Sequence, residues 1–291
     1  PPASDALDYA HDGVAIGPNA GYGAYFRALG QSLAFPTDPG NLVTFLILVA
    51  FLGVGQALSF AMIICCIGVL ALLIINCWYI SYQLNVVLGA AAGDKELPSL
   101  ALTGGILDDI VTPLVKMLAT YIVARLPALI FIATATDLGF TGGMGLSDVA
   151  TFLFGNYSLL WGLTQISEQI IAGALLVGGF FMWPIFVLVV AGGSTGSLLR
   201  IDLMAITIIK SFPAYLMMVA VVYAAQAVEF GTTIVLIKMG LNAWEAGTSP
   251  WALLLLPVVF MLVSVYATIV AMKAIGLHYH CFKHKYAWSW G

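Results

Sequence analysis

Between Leu42 and Leu88 the chain runs 47 residues without one charged side chain. A helix needs about 20 apolar residues to cross the hydrocarbon of a bilayer, so this run has room for two crossings. The closely spaced glycines of Gly53-Val54-Gly55-Gln56 offer a place to turn between them. The sequence therefore predicts a chain that lives in a membrane, whose chemistry rests on the few polar groups it carries there.

Composition points the same way. The chain is 62% hydrophobic and 8% charged, against roughly 25% charge in a soluble domain. No hydrophilic stretch of its 291 residues is long enough to fold alone, so one membrane domain is expected. The net charge of −4 is spread out, and no basic patch points to nucleic acid. Cys65, Cys66 and Cys77 fall in one apolar run, where they read as small hydrophobes, and Cys281 stands apart. Residues Pro1 to Ala20 have no basic region followed by an apolar core, so a signal peptide is not expected.

Along the chain, Tyr22 to Phe35 reads as a short amphipathic helix at the membrane surface, ended by Pro36 and Pro39. Crossings are expected near residues 40–54, 57–84, 110–133, 170–191, 212–237 and 251–275. Residues 89–107 read as a loop, and 198–210 as a second surface helix. Both surface helices end at Phe-Pro before turning into the bilayer. Proline fits there because the first helical turn has no partner for its N–H.

Lys and Arg in short loops set the orientation. With both termini on one side, that side holds Arg27, Lys95, Arg200, Lys210, Lys273, Lys283 and Lys285, while the other holds Lys238. The expectation is an all-α integral membrane protein of about six transmembrane helices. Two amphipathic helices lie on its cytoplasmic side, and both termini are cytoplasmic. Its parts are a polar tail with a surface helix at 1–39, a six-helix domain at 40–276, and a basic, aromatic juxtamembrane tail at 277–291. A multi-pass place in the cell's inner, cytoplasmic membrane follows.

Three stretches carry a resemblance. They are Leu88-Gly-Ala-Ala-Ala-Gly-Asp-Lys-Glu-Leu-Pro98 with Ile106-Leu-Asp-Asp-Ile-Val-Thr-Pro113, then Pro184 and Gly192–Gly196 with Ile208-Ile-Lys-Ser-Phe-Pro-Ala-Tyr215, then the histidine-containing ending from Lys273 to Trp288. Together they resemble a bacterial family of six-span membrane proteins of unknown function, related to the Yip (Rab-GTPase-interacting protein) superfamily. The resemblance implies architecture and brings no catalytic signature.

The sharpest polar feature is Arg125 with Glu229, which fall at similar depth in crossings three and five. An unpaired charge at that depth costs several kcal/mol, so a structural intramembrane ion pair is expected. A transport or proton relay is the functional alternative. His280 and His284 stand one helical turn apart and are candidates to share a metal, with His278 and Cys281 beside them; a headgroup-anchored tail is the simpler reading. Asp108 and Asp109 precede crossing three, where a helix dipole favours negative charge. Trp78 and Trp288 are expected at the cytoplasmic interface, and Trp183, Trp244 and Trp251 at the far one. The spacings Gly89–Gly93 and Gly192–Gly196 read as turns.

No serine–lysine pair is present, and no crossing carries a histidine for haem or for a zinc protease. The expectation is a non-enzymatic accessory or scaffold subunit of a larger membrane complex, with lipid and neighbouring membrane subunits as partners. No cofactor is expected beyond lipids or the pigments of such neighbours. A small transporter or channel working around Arg125 and Glu229 is the alternative.

Overall fold

The apolar runs fold as helices, and the computed structural model describes residues 21–61, 67–100, 105, 107–135, 146–153, 158–163, 165–245 and 250–286. Among the described residues there is no strand. The α-helices are α1 (Tyr22–Ser32), α2 (Pro39–Ala61), α3 (Ile67–Ala92), α4 (Thr112–Ala135), α5 (Leu146–Leu153), α6 (Ile166–Gly192), α7 (Ile201–Lys210), α8 (Phe212–Glu245) and α9 (Pro250–Phe282). The long ones are apolar on every face, as helices surrounded by lipid and by one another must be. Five stretches are long and apolar enough to cross a bilayer: Leu73–Ala92, Leu107–Ala135, Ile166–Gly192, Phe212–Thr232 and Val258–Lys285. The described apolar part of α2, Pro39–Gly55, is shorter. This is an all-helical, multi-pass membrane protein.

The expected turn at Gly53–Gln56 does not form. Helix α2 runs through both glycines to Ala61, because Gly55 serves packing: a Cβ there would collide with the Cδ1 of Ile75 on α3. The loop expected from residue 89 begins later. Gly89 and Ala92 still belong to α3, and the turn sits at Gly93, whose φ of +98° a side chain would resist. The N–H groups of Gly93 and Asp94 both reach the Gly89 carbonyl, at 3.0 and 2.9 Å. This closes the helix with a C-terminal glycine. Pro127 and Pro184 lie inside α4 and α6 without ending them.

Residues Pro1–Leu114 with Ile201–Gly291 form one compact unit, and Val115–Arg200 form a second. In the first, α9 touches α1, α2, α3 and α8. It meets α3 where a Cβ on Gly276 would strike the carbonyl of Val87 and the Cβ of Ala90. Small residues let two backbones approach in lipid, where apolar area alone gives no reason to associate. Buried Asn41 secures the start of α2: its amide donates to the carbonyls of Phe35 (2.9 Å) and Lys95 (3.3 Å) and accepts from the Leu97 N–H (2.7 Å). Lys273 adds to the same corner, donating to the Asp94 carbonyl at 2.6 Å with its ammonium 4.1 Å over the Phe35 ring.

The boundary expected at residue 277 is absent. Helix α9 continues to Phe282, and His278, Tyr279, His280, Cys281 and Phe282 are buried. The reason is aromatic packing. His278 is hydrogen-bonded to the Tyr286 hydroxyl at 2.6 Å and ringed by Tyr25, Tyr215 and Phe282. Lys285 donates to the Tyr22 hydroxyl at 2.9 Å, which ties α1 to the end of α9. Burial pushes the hydroxyl pKa of Tyr25 and of Tyr286 well above the ordinary range.

The second unit packs α4, α5 and α6 around Leu129, Ile132, Phe152, Leu163 and Leu176. A Cβ on Gly179 of α6 would overlap the Ala124 carbonyl of α4, so this contact also depends on a missing side chain.

Candidate functional site

A carboxylate near the middle of an apolar helix needs polar company, because an isolated charge in lipid is costly. Glu229 stands midway along α8, and Ser264 of α9 donates to its Oε1 at 2.6 Å. Beside them is a cavity of about 230 Å³. Its polar lining is Glu229, Ser264, Asn76 and Tyr79; Leu52, Ile75, Phe260, Met261 and Val265 supply the apolar walls. All of these belong to the first unit. Asn76 is exposed while Ser264 and Val265 are buried, so the cavity runs inward from the surface at Asn76.

Tyr79 also lines the cavity, and its buried hydroxyl has the side chains of Thr268 and Gln83 beside it. No lysine, arginine or histidine lines the cavity. One carboxylate, a serine hydroxyl and an amide beside apolar side chains can hold a single positive charge and orient it. They offer no nucleophile–base pair.

The other expected groups fall elsewhere. Arg125 is buried in the second unit, where its guanidinium lies 5.0 Å from the Tyr121 ring centre and 5.2 Å from that of Phe180, and donates to the Tyr121 carbonyl at 3.5 Å. Arg125 and Glu229 thus belong to different units, and each has partners within its own. Asp108 and Asp109 occupy the first turn of a π-helical segment, Leu107–Val111, that leads into α4. The Asp109 carbonyl also accepts from the Ser81 hydroxyl.

His280 faces inward, its Nδ1 3.2 Å from the Ala91 carbonyl, and a Cβ on Gly93 would lie 2.7 Å from its ring. His284 is exposed beside the Phe282 ring. Among the described residues no three His, Cys, Asp or Glu side chains gather as a metal group.

Trp183, expected as a headgroup anchor, is buried instead. Its indole N–H donates to the Thr120 hydroxyl at 3.1 Å and its ring stacks on Tyr121, joining α6 to α4. Trp78 packs against Phe51 and Tyr82. The side chains of Trp244 and Trp251, and all of Trp288, Cys65 and Cys66, lie outside the described residues.

Sequence reasoning missed Ser264 as the partner of Glu229, and Asn76 and Tyr79 as lining of the same cavity. A signal was there: Asn76, Tyr79 and Gln83 recur at helical spacing along one stripe of an otherwise apolar helix.

No protein-family model, curated protein or solved structure matches the chain.

Proposed function

We propose that this chain is a small membrane transporter or channel that handles a positively charged solute at Glu229. The observation that carries the reading is a carboxylate beside a cavity at the middle of apolar helices. An ionisable group at that depth is retained for function more often than for stability. In this reading α2 is the first of six crossings, and Lys and Arg in the short loops hold both termini in the cytoplasm of a cell with a multi-pass inner-membrane copy. Arg125 need not pair with Glu229, since aromatic rings of its own unit cover its guanidinium. The likeness to the Yip-related family belongs to the same proposal and speaks to architecture alone.

The test is flux. Proteoliposomes held at an inside-negative potential and loaded with a pH-sensitive dye are given small ammonium compounds in turn. Wild-type protein is expected to change internal pH with at least one of them, and Glu229→Gln to remove the change. Identical traces from wild type, Glu229→Gln and empty vesicles would overturn the reading.

A second reading, a non-enzymatic accessory subunit, draws on one surface feature. Leu199 is 84% exposed and Ile209 74% exposed at either end of α7, and a neighbouring subunit could cover both. Mild detergent extraction and native gels test it: co-migration with partners supports it, and a lone monomer counts against it.

A further inference from the structure

We propose that the Glu229 cavity binds a small organic ammonium, a primary or secondary amine carrying a compact apolar group, in preference to a metal cation. The inference rests on the reading of Glu229 as a site within the membrane, and it names the class of ligand.

Charge comes first. The lining holds one carboxylate and no basic side chain, so one positive charge balances it. A divalent ion would leave an excess charge in a low-dielectric setting, which is costly.

Volume comes next. The cavity holds about 230 Å³, many times the roughly 10–15 Å³ that one water needs. That is far more than a dehydrated metal ion fills, and hard cations want about six or more oxygen ligands drawn close around them. The cavity is lined by four polar side chains and five apolar ones. An ammonium with a compact hydrocarbon body suits that mixture.

Hydrogen bonding completes the argument. An ammonium group carries two or three N–H donors. One can reach the Glu229 carboxylate, with the Ser264 hydroxyl and the Asn76 amide on the same lining. Ser264 already holds Oε1 of the carboxylate in place. The Phe260 and Tyr79 rings on the lining add faces that attract a cation.

The experiment uses purified full-length chain in detergent and follows its unfolding temperature. The probes are benzylammonium, the neutral benzyl alcohol of the same shape, sodium and potassium. Benzylammonium is expected to raise the unfolding temperature saturably, with the other three near baseline. Glu229→Gln should remove its binding.

In case Glu229→Gln does not fold, a second measurement uses Asn76→Cys at the cavity mouth, where benzylammonium should slow thiol labelling at least threefold. An equal response to sodium or potassium would overturn the proposal in favour of a metal cation. An equal response to benzyl alcohol would reduce the site to an apolar hole, and no response to any probe would remove it. Benzylammonium binding without flux leaves this site standing and removes the transporter. Flux that depends on Glu229 without benzylammonium binding does the reverse.

Discussion

Ser264 donates its hydroxyl to the Glu229 carboxylate at 2.6 Å, joining the midpoints of α9 and α8. Removing this donor leaves a half-buried carboxylate short of a partner. A hydrogen bond to a charged group is worth about 1.5–3 kcal/mol, and Glu229 is only half-buried, so the lower end is expected. We predict that Ser264→Ala lowers stability by about 1.5 kcal/mol, and that Glu229→Gln in the same background recovers part of the loss. Equilibrium unfolding in mixed micelles measures both; additive losses would contradict the coupling.

Close helix contacts make a second prediction. The Cβ of Gly276→Ala would meet the backbone of Val87 and the Cβ of Ala90, and backbone cannot swing aside as a flexible side chain can. Overpacking of this kind costs about 1–3 kcal/mol. Gly179→Ala should behave alike against the Ala124 carbonyl. Gly30→Ala is the control, since its Cβ would meet nothing within 4 Å. Unfolding temperatures of the three variants should separate the first two from the third.

How much of this was legible in the sequence depends on which physics set each feature. The apolar runs forecast the long helices because lipid demands them, whatever the tertiary packing. The turn at Gly53–Gln56 failed because glycine has two uses, a bend and a close contact, and only the partner Ile75 reveals which applies. The tail from residue 277 was misjudged for a similar reason. Basic and aromatic residues suit a headgroup layer, but here His278 and Tyr286 find each other and the rings of α1 and α8. At the site, Glu229 stood out as a charge, whereas Ser264 is an ordinary membrane-helix residue until its distance to Glu229 reveals its role.

Asn41 gives a third prediction. Its one amide holds the Phe35 and Lys95 carbonyls and the Leu97 N–H, so Asn41→Leu, similar in bulk, leaves three backbone groups without it. Each buried group left unbonded costs about 1–3 kcal/mol. We expect a loss of about 2 kcal/mol or more, with proteolysis newly directed at residues 93–100. Unchanged cleavage there would show that the corner holds without Asn41.

A fourth concerns Trp183 and Thr120, bonded at 3.1 Å between α6 and α4. Trp183→Phe and Thr120→Val each remove the bond. Interhelical hydrogen bonds in membrane proteins average about 0.6 kcal/mol in double-mutant cycles, and we expect a coupling of that order or somewhat more. A coupling near zero would mean that ring stacking on Tyr121 alone seats the indole.

The central claim is that the middle of α8, where Glu229 sits, lies in hydrocarbon. Its neighbour Phe230 is 68% exposed, which makes it a fit reporter. A nitroxide at Phe230→Cys, in a cysteine-free chain reconstituted in vesicles, is read by its collisions with oxygen and with a water-soluble nickel chelate. We predict that oxygen collisions dominate at this position and nickel collisions are scarce, with the opposite balance at Lys283→Cys, an exposed site past the end of α9. Nickel collisions at Phe230→Cys as frequent as at Lys283→Cys would place α8 in water and contradict the account.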